Sequence, residues 1–173
     1  MYIKPVVITD FTNLANQKWE IINDDVMGGQ SESQFQINKD GNAVFLGHIS
    51  LKNSGGFASV RNHEPLNLSG FNTIRLTVKG DGNQYSFRLK PNTENPAANF
   101  WYEDRFQTKN GEWIEIELAL KDFEPTYRGR KPQNAATLDV ENIEQFGFLI
   151  SDKQKGEFRL EINKIEALPD SHS

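Results

Sequence analysis

The feature that most constrains this chain is strict alternation. Ile74, Leu76 and Val78 share one side of a period-two pattern, with Arg75, Thr77 and Lys79 on the other. Tyr85, Phe87 and Leu89 repeat the arrangement against Ser86, Arg88 and Lys90, and Ile114, Ile116 and Leu118 repeat it against Trp113, Glu115 and Glu117. Phe158, Leu160 and Ile162 then alternate with Arg159, Glu161 and Asn163. Successive side chains of a strand point to opposite faces, so each segment is a strand with one dry and one wet face. No long stretch carries a helical stripe. A chain with so little helix has to bury its apolar faces sheet against sheet.

The remaining segments fit that plan. Pro5 to Phe11 reads as an opening strand. Phe35 and Ile37 lead into Asn38-Lys-Asp-Gly-Asn42, a hairpin turn of the Asp-Gly type, with Ala43 to Leu51 as the returning strand. Phe146 to Ile150 is continuously apolar, as in a central strand covered on both faces. Turn formers at Ser54-Gly-Gly56, Gly80-Asp-Gly82, Asn110-Gly111 and Lys155-Gly156 separate these runs. Eight to ten strands at this spacing predict an all-β fold of two packed antiparallel sheets, a β-sandwich. Short helical turns are expected at Leu120–Phe123 and Val140–Ile143. The 173 residues read as one domain over 1–168, followed by a short disordered tail at 169–173. Twelve Phe, four Tyr and three Trp supply an aromatic core, in which Phe57 is expected to act as a plug and Trp19 and Trp113 as core or edge packing.

Composition narrows the function. Nineteen Lys and Arg against twenty-four Asp and Glu give a net charge of -5, the wrong sign for a nucleic-acid footprint. Cysteine is absent, which removes disulfides, thiolate nucleophiles and Cys-based metal sites. No apolar run approaches the roughly 18 residues of a membrane helix, and Met1-Tyr-Ile-Lys-Pro5 has no leader pattern, so no membrane insertion and a cytoplasmic location are expected. The three histidines are not at metal-ligand spacing, and no nucleophile elbow, P-loop or dinucleotide fingerprint occurs. Lys79-Gly-Asp-Gly-Asn83 is better explained as a tight turn between alternating strands than as a phosphate loop. A hydrolase would need two facing carboxylates, and near the aromatic segments only Glu103 and Asp104 are available. The expectation is a binding protein with no catalytic residues.

Two constellations remain. Asn23, Asp24 and Asp25 offer oxygen ligands of the kind calcium prefers, or else shape a turn through side-chain to backbone bonds with Gly28 and Gly29. Turn formation is favoured and no cofactor is expected, which leaves a structural calcium on Asp24 and Asp25 as the alternative. The second joins aromatic and cationic groups: Arg88, Trp101, Tyr102, Arg105, Tyr127 and Arg128. Flat aromatics stack on rings, and guanidinium forks grip hydroxyls or carboxylates. The alternation places Arg75 and Arg88 on one sheet face, with Trp101 and Arg105 beside them. The alternative is a solvated face on which Arg75, Lys79, Arg88 and Lys90 pair with Glu115 and Glu117.

Several of these residues also fall in a recognisable pattern. Trp19, Asn23-Asp24-Asp25-Val-Met27-Gly28-Gly29-x-Ser31, Phe45-x-Gly47, Gly55-Gly56-Phe57-Ala-Ser59-Val-Arg61, Gly80-Asp81-Gly82 after Lys79, Tyr85, Trp113, Phe123-x-Pro125 and Arg128-Gly129 resemble the complex I intermediate-associated protein 30 family. Gly147-Phe-Leu-Ile-Ser-Asp-Lys-Gln-x-Gly156 with Phe158-x-Leu160 continues the likeness, which runs from about residue 8 to 166. The resemblance implies a galactose-binding-domain-like jelly roll, close in fold to carbohydrate-binding modules. It also implies an assembly factor that binds protein partners, in mitochondria the assembly intermediates of respiratory NADH:ubiquinone oxidoreductase. A stand-alone, bacterial-type member is expected. The same face would serve a sugar or small ligand if the chain were a carbohydrate-binding module.

Overall fold

A computed structural model describes residues 5–11, 19–23, 32–50, 56–127, 131–151 and 156–169. Among the described residues twelve strands form two antiparallel sheets: β1 Val6–Thr9, β2 Trp19–Asn23, β3 Glu32–Ile37, β4 Ala43–Ile49, β5 Ala58–Asn62, β6 Phe71–Lys79, β7 Gln84–Pro91, β8 Trp101–Gln107, β9 Trp113–Ala119, β10 Glu124–Thr126, β11 Ile143–Ile150 and β12 Gly156–Pro169. The first sheet runs β3-β4-β12-β6-β9 with β1 also on β12, and the second runs β10-β8-β7-β11-β5-β2. Leu120–Asp122 is a single 3-10 turn, as the sequence suggests. Val140–Ile143 is not helical, because Ile143 already pairs with Pro91 and Leu66 as β11 begins. Among the described residues no helix is long and apolar enough to cross a membrane.

The alternating apolar residues fill the space between the sheets. Ile74, Leu76, Val78, Leu160, Ile162 and Ile165 from the first sheet meet Tyr85, Phe87, Leu89, Phe146 and Phe148 from the second, all buried. Phe87 makes edge contacts with Phe123 at 6.3 Å and with Phe148 at 5.3 Å between ring centroids, the geometry favoured by ring quadrupoles. Trp19 stacks on Phe35 at 4.6 Å and meets Phe146 edge-on, so it belongs to the core. Trp113 stays 44% exposed on edge strand β9 with the Lys79 ammonium over its ring. Phe57 is half-buried.

One short connection behaves differently from a hairpin. β6 and β7, joined through Gly80–Asn83, lie in different sheets, so this turn carries the chain across the sandwich. Gly82 has φ 92, and a Cβ on Gly80 would fall onto the Thr108 side chain. The Asp81 carboxylate holds the crossing together. It accepts from Tyr85 Oη at 3.0 Å, from Asn83 N–H at 3.1 Å and from the Arg159 N–H on β12 at 2.7 Å. Gly80, Asp81 and Gly82 are thus a structural corner, in keeping with their reading as a turn.

Candidate functional site

The outer face of the second sheet is built by the same alternation that fills the core. Cross-strand register aligns Glu20 on β2, Arg61 on β5, Gly147 on β11, Arg88 on β7 and Glu103 on β8 in one transverse row. Gly147, between the two arginines, carries no side chain. Trp101, two residues from Glu103 and on the same face, lies under both cations. The Arg88 guanidinium carbon is 4.3 Å from the indole centroid and that of Arg61 is 4.9 Å. Both distances are within cation–π range.

These guanidiniums are poorly partnered. Arg88 Nε lies 3.9 Å from Glu103 Oε2, beyond hydrogen-bond length, although only 14% of the Arg88 side chain is exposed. Burial drives the Arg88 pKa down to about 10, against the pull of Glu103 and with a further push from Arg61. Burial also lowers Arg61, partly offset by Glu20, whose own carboxylate is 3.2 Å from His63 Nε2. Among the described residues five buried side-chain polar atoms lack a hydrogen-bond partner, and three of them, Arg61 Nε, Arg88 Nε and Gln145 Oε1, stand on this face. Folded proteins leave few such atoms, so their concentration here calls for an explanation.

Arg75 provides the contrast. It lies on β6 in the other sheet, which corrects the expectation that it shares a face with Arg88. Its fork donates to both oxygens of Glu166, at 3.0 and 3.2 Å, and that pairing raises its pKa. Glu117 is the register partner of Arg75 and, with Glu115, attracts it as expected, but the closest partners of these cations lie elsewhere. Arg75 takes Glu166, Lys79 takes Glu161 at 3.6 Å, and Lys90 takes Glu144 at 3.8 Å.

The other sequence candidates fall variously. Arg105 lies on the Trp101 side of β8, opposite Ser86, and is exposed. Tyr102 points the other way. It is 1% exposed, and its hydroxyl donates to the Ala136 carbonyl at 2.6 Å, so it is a core residue and does not line the face. Tyr127 is 58% exposed past the end of β10, edge-on to Phe100. Arg128 lies outside the described residues, as do Asp24, Asp25, Met27, Gly28, Gly29, Ser31 and Gly55. Asn23 and Ala58 are register partners, and Ser59 Oγ donates to the Ile22 carbonyl at 2.6 Å, so the described ends of the two glycine motifs adjoin. Gly56 has φ 137, a backbone that favours glycine. Glu103 and Asp104 are consecutive strand residues on opposite faces of β8 and do not form a facing pair.

Arg61, Gly147 and Gln145 complete the face and were not among the sequence candidates. The signal for Arg61 was present in Ala58-Ser-Val-Arg-Asn62, where Ser59 and Arg61 take the side opposite buried Ala58 and Val60.

With this geometry in view, the sequence matches the family model described as "Complex I intermediate-associated protein 30 (CIA30)" over residues 9–162. The chain belongs to the CIA30 family. It is 32% identical over 176 residues to an uncharacterised protein of Schizosaccharomyces pombe, covering 91% of this chain and 80% of that one. It is 27% identical over 172 residues to the mitochondrial complex I intermediate-associated protein 30 of Mus musculus, covering 88% of this chain and 52% of that protein. This CIA30 chain therefore spans about half the length of the mouse relative. In fold it is similar to the family 11 carbohydrate-binding module of the cellulosomal cellulase Lic26A-Cel5E from Clostridium thermocellum, with a TM-score of 0.70 and 16% identity over the whole of both chains. A second structure of a family 11 module, in complex with a β-1,3-1,4-mixed-linked tetrasaccharide, gives 0.69 and 16% over 98% of each. The expected two-sheet β-sandwich is thereby established.

Proposed function

We propose that this CIA30-family chain is a non-catalytic binding module that grips a protein partner through the outer face of its second sheet, in the manner of an assembly factor for respiratory complex I intermediates. The observation that carries this reading is the Arg61–Trp101–Arg88 cluster, a desolvated aromatic and arginine centre ringed by polar groups. Such centres dominate binding energy at protein interfaces. The likeness to a protein named for its association with complex I intermediates supports the kind of partner.

The test is affinity purification of the tagged chain from gently solubilised source cells beside the Trp101→Ala variant. Co-purification of complex I subunits that Trp101→Ala loses, with an unchanged melting curve, supports the reading. Equal recovery by both proteins moves the site off this face.

A second reading, a sugar-binding module, is favoured by Trp101 itself and by the fold shared with a module in complex with a mixed-linked tetrasaccharide. Saturable heat on titrating that tetrasaccharide, abolished in Trp101→Ala, would establish it.

A further inference from the structure

The three unpartnered polar atoms on the second sheet also bear on what the face receives. Arg61 and Arg88 come from β5 and β7, two strands separated by β11, yet both close on the indole of Trp101. Each keeps its Nε buried and without a hydrogen bond, and the register places only Gly147 between them. Elsewhere the molecule meets this chemistry internally: Arg75 is satisfied by both oxygens of Glu166. On the second sheet the nearest carboxylate to Arg88 stops at 3.9 Å.

We infer that the paired guanidiniums of Arg61 and Arg88 form the seat of a carboxylate side chain from an acidic stretch of a protein partner, with Trp101 holding the two cations in place. The inference rests on the partner-binding reading above and specifies its chemistry.

Charge and shape select this occupant. A planar carboxylate matches a guanidinium fork, and the indole face favours the two cations that would receive it. Neutral sugar hydroxyls bring no charge to two desolvated cations whose flanking carboxylates, Glu103 and Glu20, leave both buried Nε atoms without a hydrogen bond. A phosphate dianion would stand within the field of Glu20 and Glu103, which close both ends of the row. The net charge of -5 disfavours a polyphosphate strand. Local positive charge on an acidic protein steers acidic groups to this one place.

The experiment follows the indole N–H resonance of Trp101 in the intact chain, assigned by comparison with Trp101→Phe. Probes are a capped Glu-Glu-Glu-Glu peptide, its Gln-Gln-Gln-Gln counterpart, inorganic phosphate and the mixed-linked tetrasaccharide. The expected result is a saturable shift with the glutamate peptide, weakened about tenfold or more in the glutamine peptide and in Arg88→Gln or Arg61→Gln. Arg88→Lys, which keeps the charge and loses the fork, should also weaken it, while circular dichroism checks each fold.

An equal response to the glutamine peptide or a stronger one to the tetrasaccharide overturns the inference, as does phosphate binding as tightly as the glutamate peptide. No response to any probe does the same. Sedimentation showing a dimer that Arg88→Gln dissolves would make the occupant a second copy of this chain and likewise overturn it. If these probes fail while Trp101→Ala still loses its protein partner, the carboxylate seat is wrong and the binding face stands. If Trp101→Ala keeps the partner, the face itself is wrong.

Discussion

Gly147 stands directly opposite Arg61 across the β5–β11 pair, and a Cβ built on Gly147 would lie 2.8 Å from the Arg61 Cα and overlap the Val60 carbonyl oxygen. The obstacle is backbone, which cannot swing aside as a long side chain would. The two strands approach this closely beneath the middle of the Arg61–Trp101–Arg88 cluster, so the glycine sets the spacing on which the cations are arranged.

Gly147→Ala should therefore force β5 and β11 apart. Overpacking of this kind costs about 1–3 kcal/mol. For a domain of this size that corresponds to a fall in Tm of roughly 2–4 °C per kcal/mol, readable by calorimetry. An unchanged melting temperature would show that the sheet absorbs the methyl group without strain.

Arg88 and Arg75 should respond unequally to the same substitution. Arg75→Met leaves the Glu166 carboxylate, 7% exposed, without its bidentate donor and should cost about 2 kcal/mol. Arg88→Met removes a desolvated cation whose buried Nε forms no hydrogen bond and whose Glu103 neighbour stops at 3.9 Å, and it should cost less than Arg75→Met. A larger loss in Arg88→Met than in Arg75→Met would mean that the cation is structural.

The Tyr85–Asp81 contact predicts an alkaline limit. Burial, followed by the neighbouring Asp81 charge and the hydrogen bond to it, drives the Tyr85 phenol well above its ordinary value. The unfolded phenol ionises near pH 10 while the folded one does not, so this contribution is complete below about pH 10 and is lost as pH rises beyond it. Urea unfolding between about pH 9 and 11 should show stability falling, with a shallower fall in Tyr85→Phe. Parallel slopes in the two proteins would refute the assignment.

Glu161 sets an acid limit by the opposite sign. Its burial on β12 raises the carboxyl pKa, but the Asn42 amide at 2.9 Å, Asn38, Lys79 and Arg159 outweigh that and hold it below the usual range. The stabilisation is present above the unfolded value, near pH 4.3, and is lost as pH falls through the lower folded value. Acid unfolding of Glu161→Gln should be displaced to lower stability at neutral pH and show a flatter slope below about pH 5.

The strands were legible because alternation is a local property. Ile74, Leu76 and Val78 declare a dry face whatever they pack against, and each is buried. Which sheet a strand joins is not local. The short Gly80–Asn83 link reads as a hairpin, yet Thr108 and the Asp81 contacts to Tyr85 and Arg159 turn it into a crossing between sheets. For that reason Arg75 and Arg88 looked like neighbours and are not.

The candidate face was legible in part. Trp101 stood out as a large aromatic among charged residues, and Arg88 by its alternation. Arg61 was hidden because Arg61-Asn-His-Glu-Pro65 has the composition of a turn, while the residues before it already form β5. Tyr102 was included because it adjoins Trp101 in sequence, and pleating sends the two to opposite faces.

The strand order also bears on how the chain is made. β12 sits between β4 and β6 in the first sheet and carries β1 as well, and β11 sits between β7 and β5 in the second. The middle of each sheet is thus supplied by the two described strands that are synthesised after all the others. A nascent chain that has reached only residue 142 holds hairpin pieces with an empty slot at the centre of both layers, and its opening strand has nothing to pair with. Assembly is consequently a late event joining distant parts of the chain, slow by topology and exposed to wrong pairings until Ile143–Pro169 has emerged.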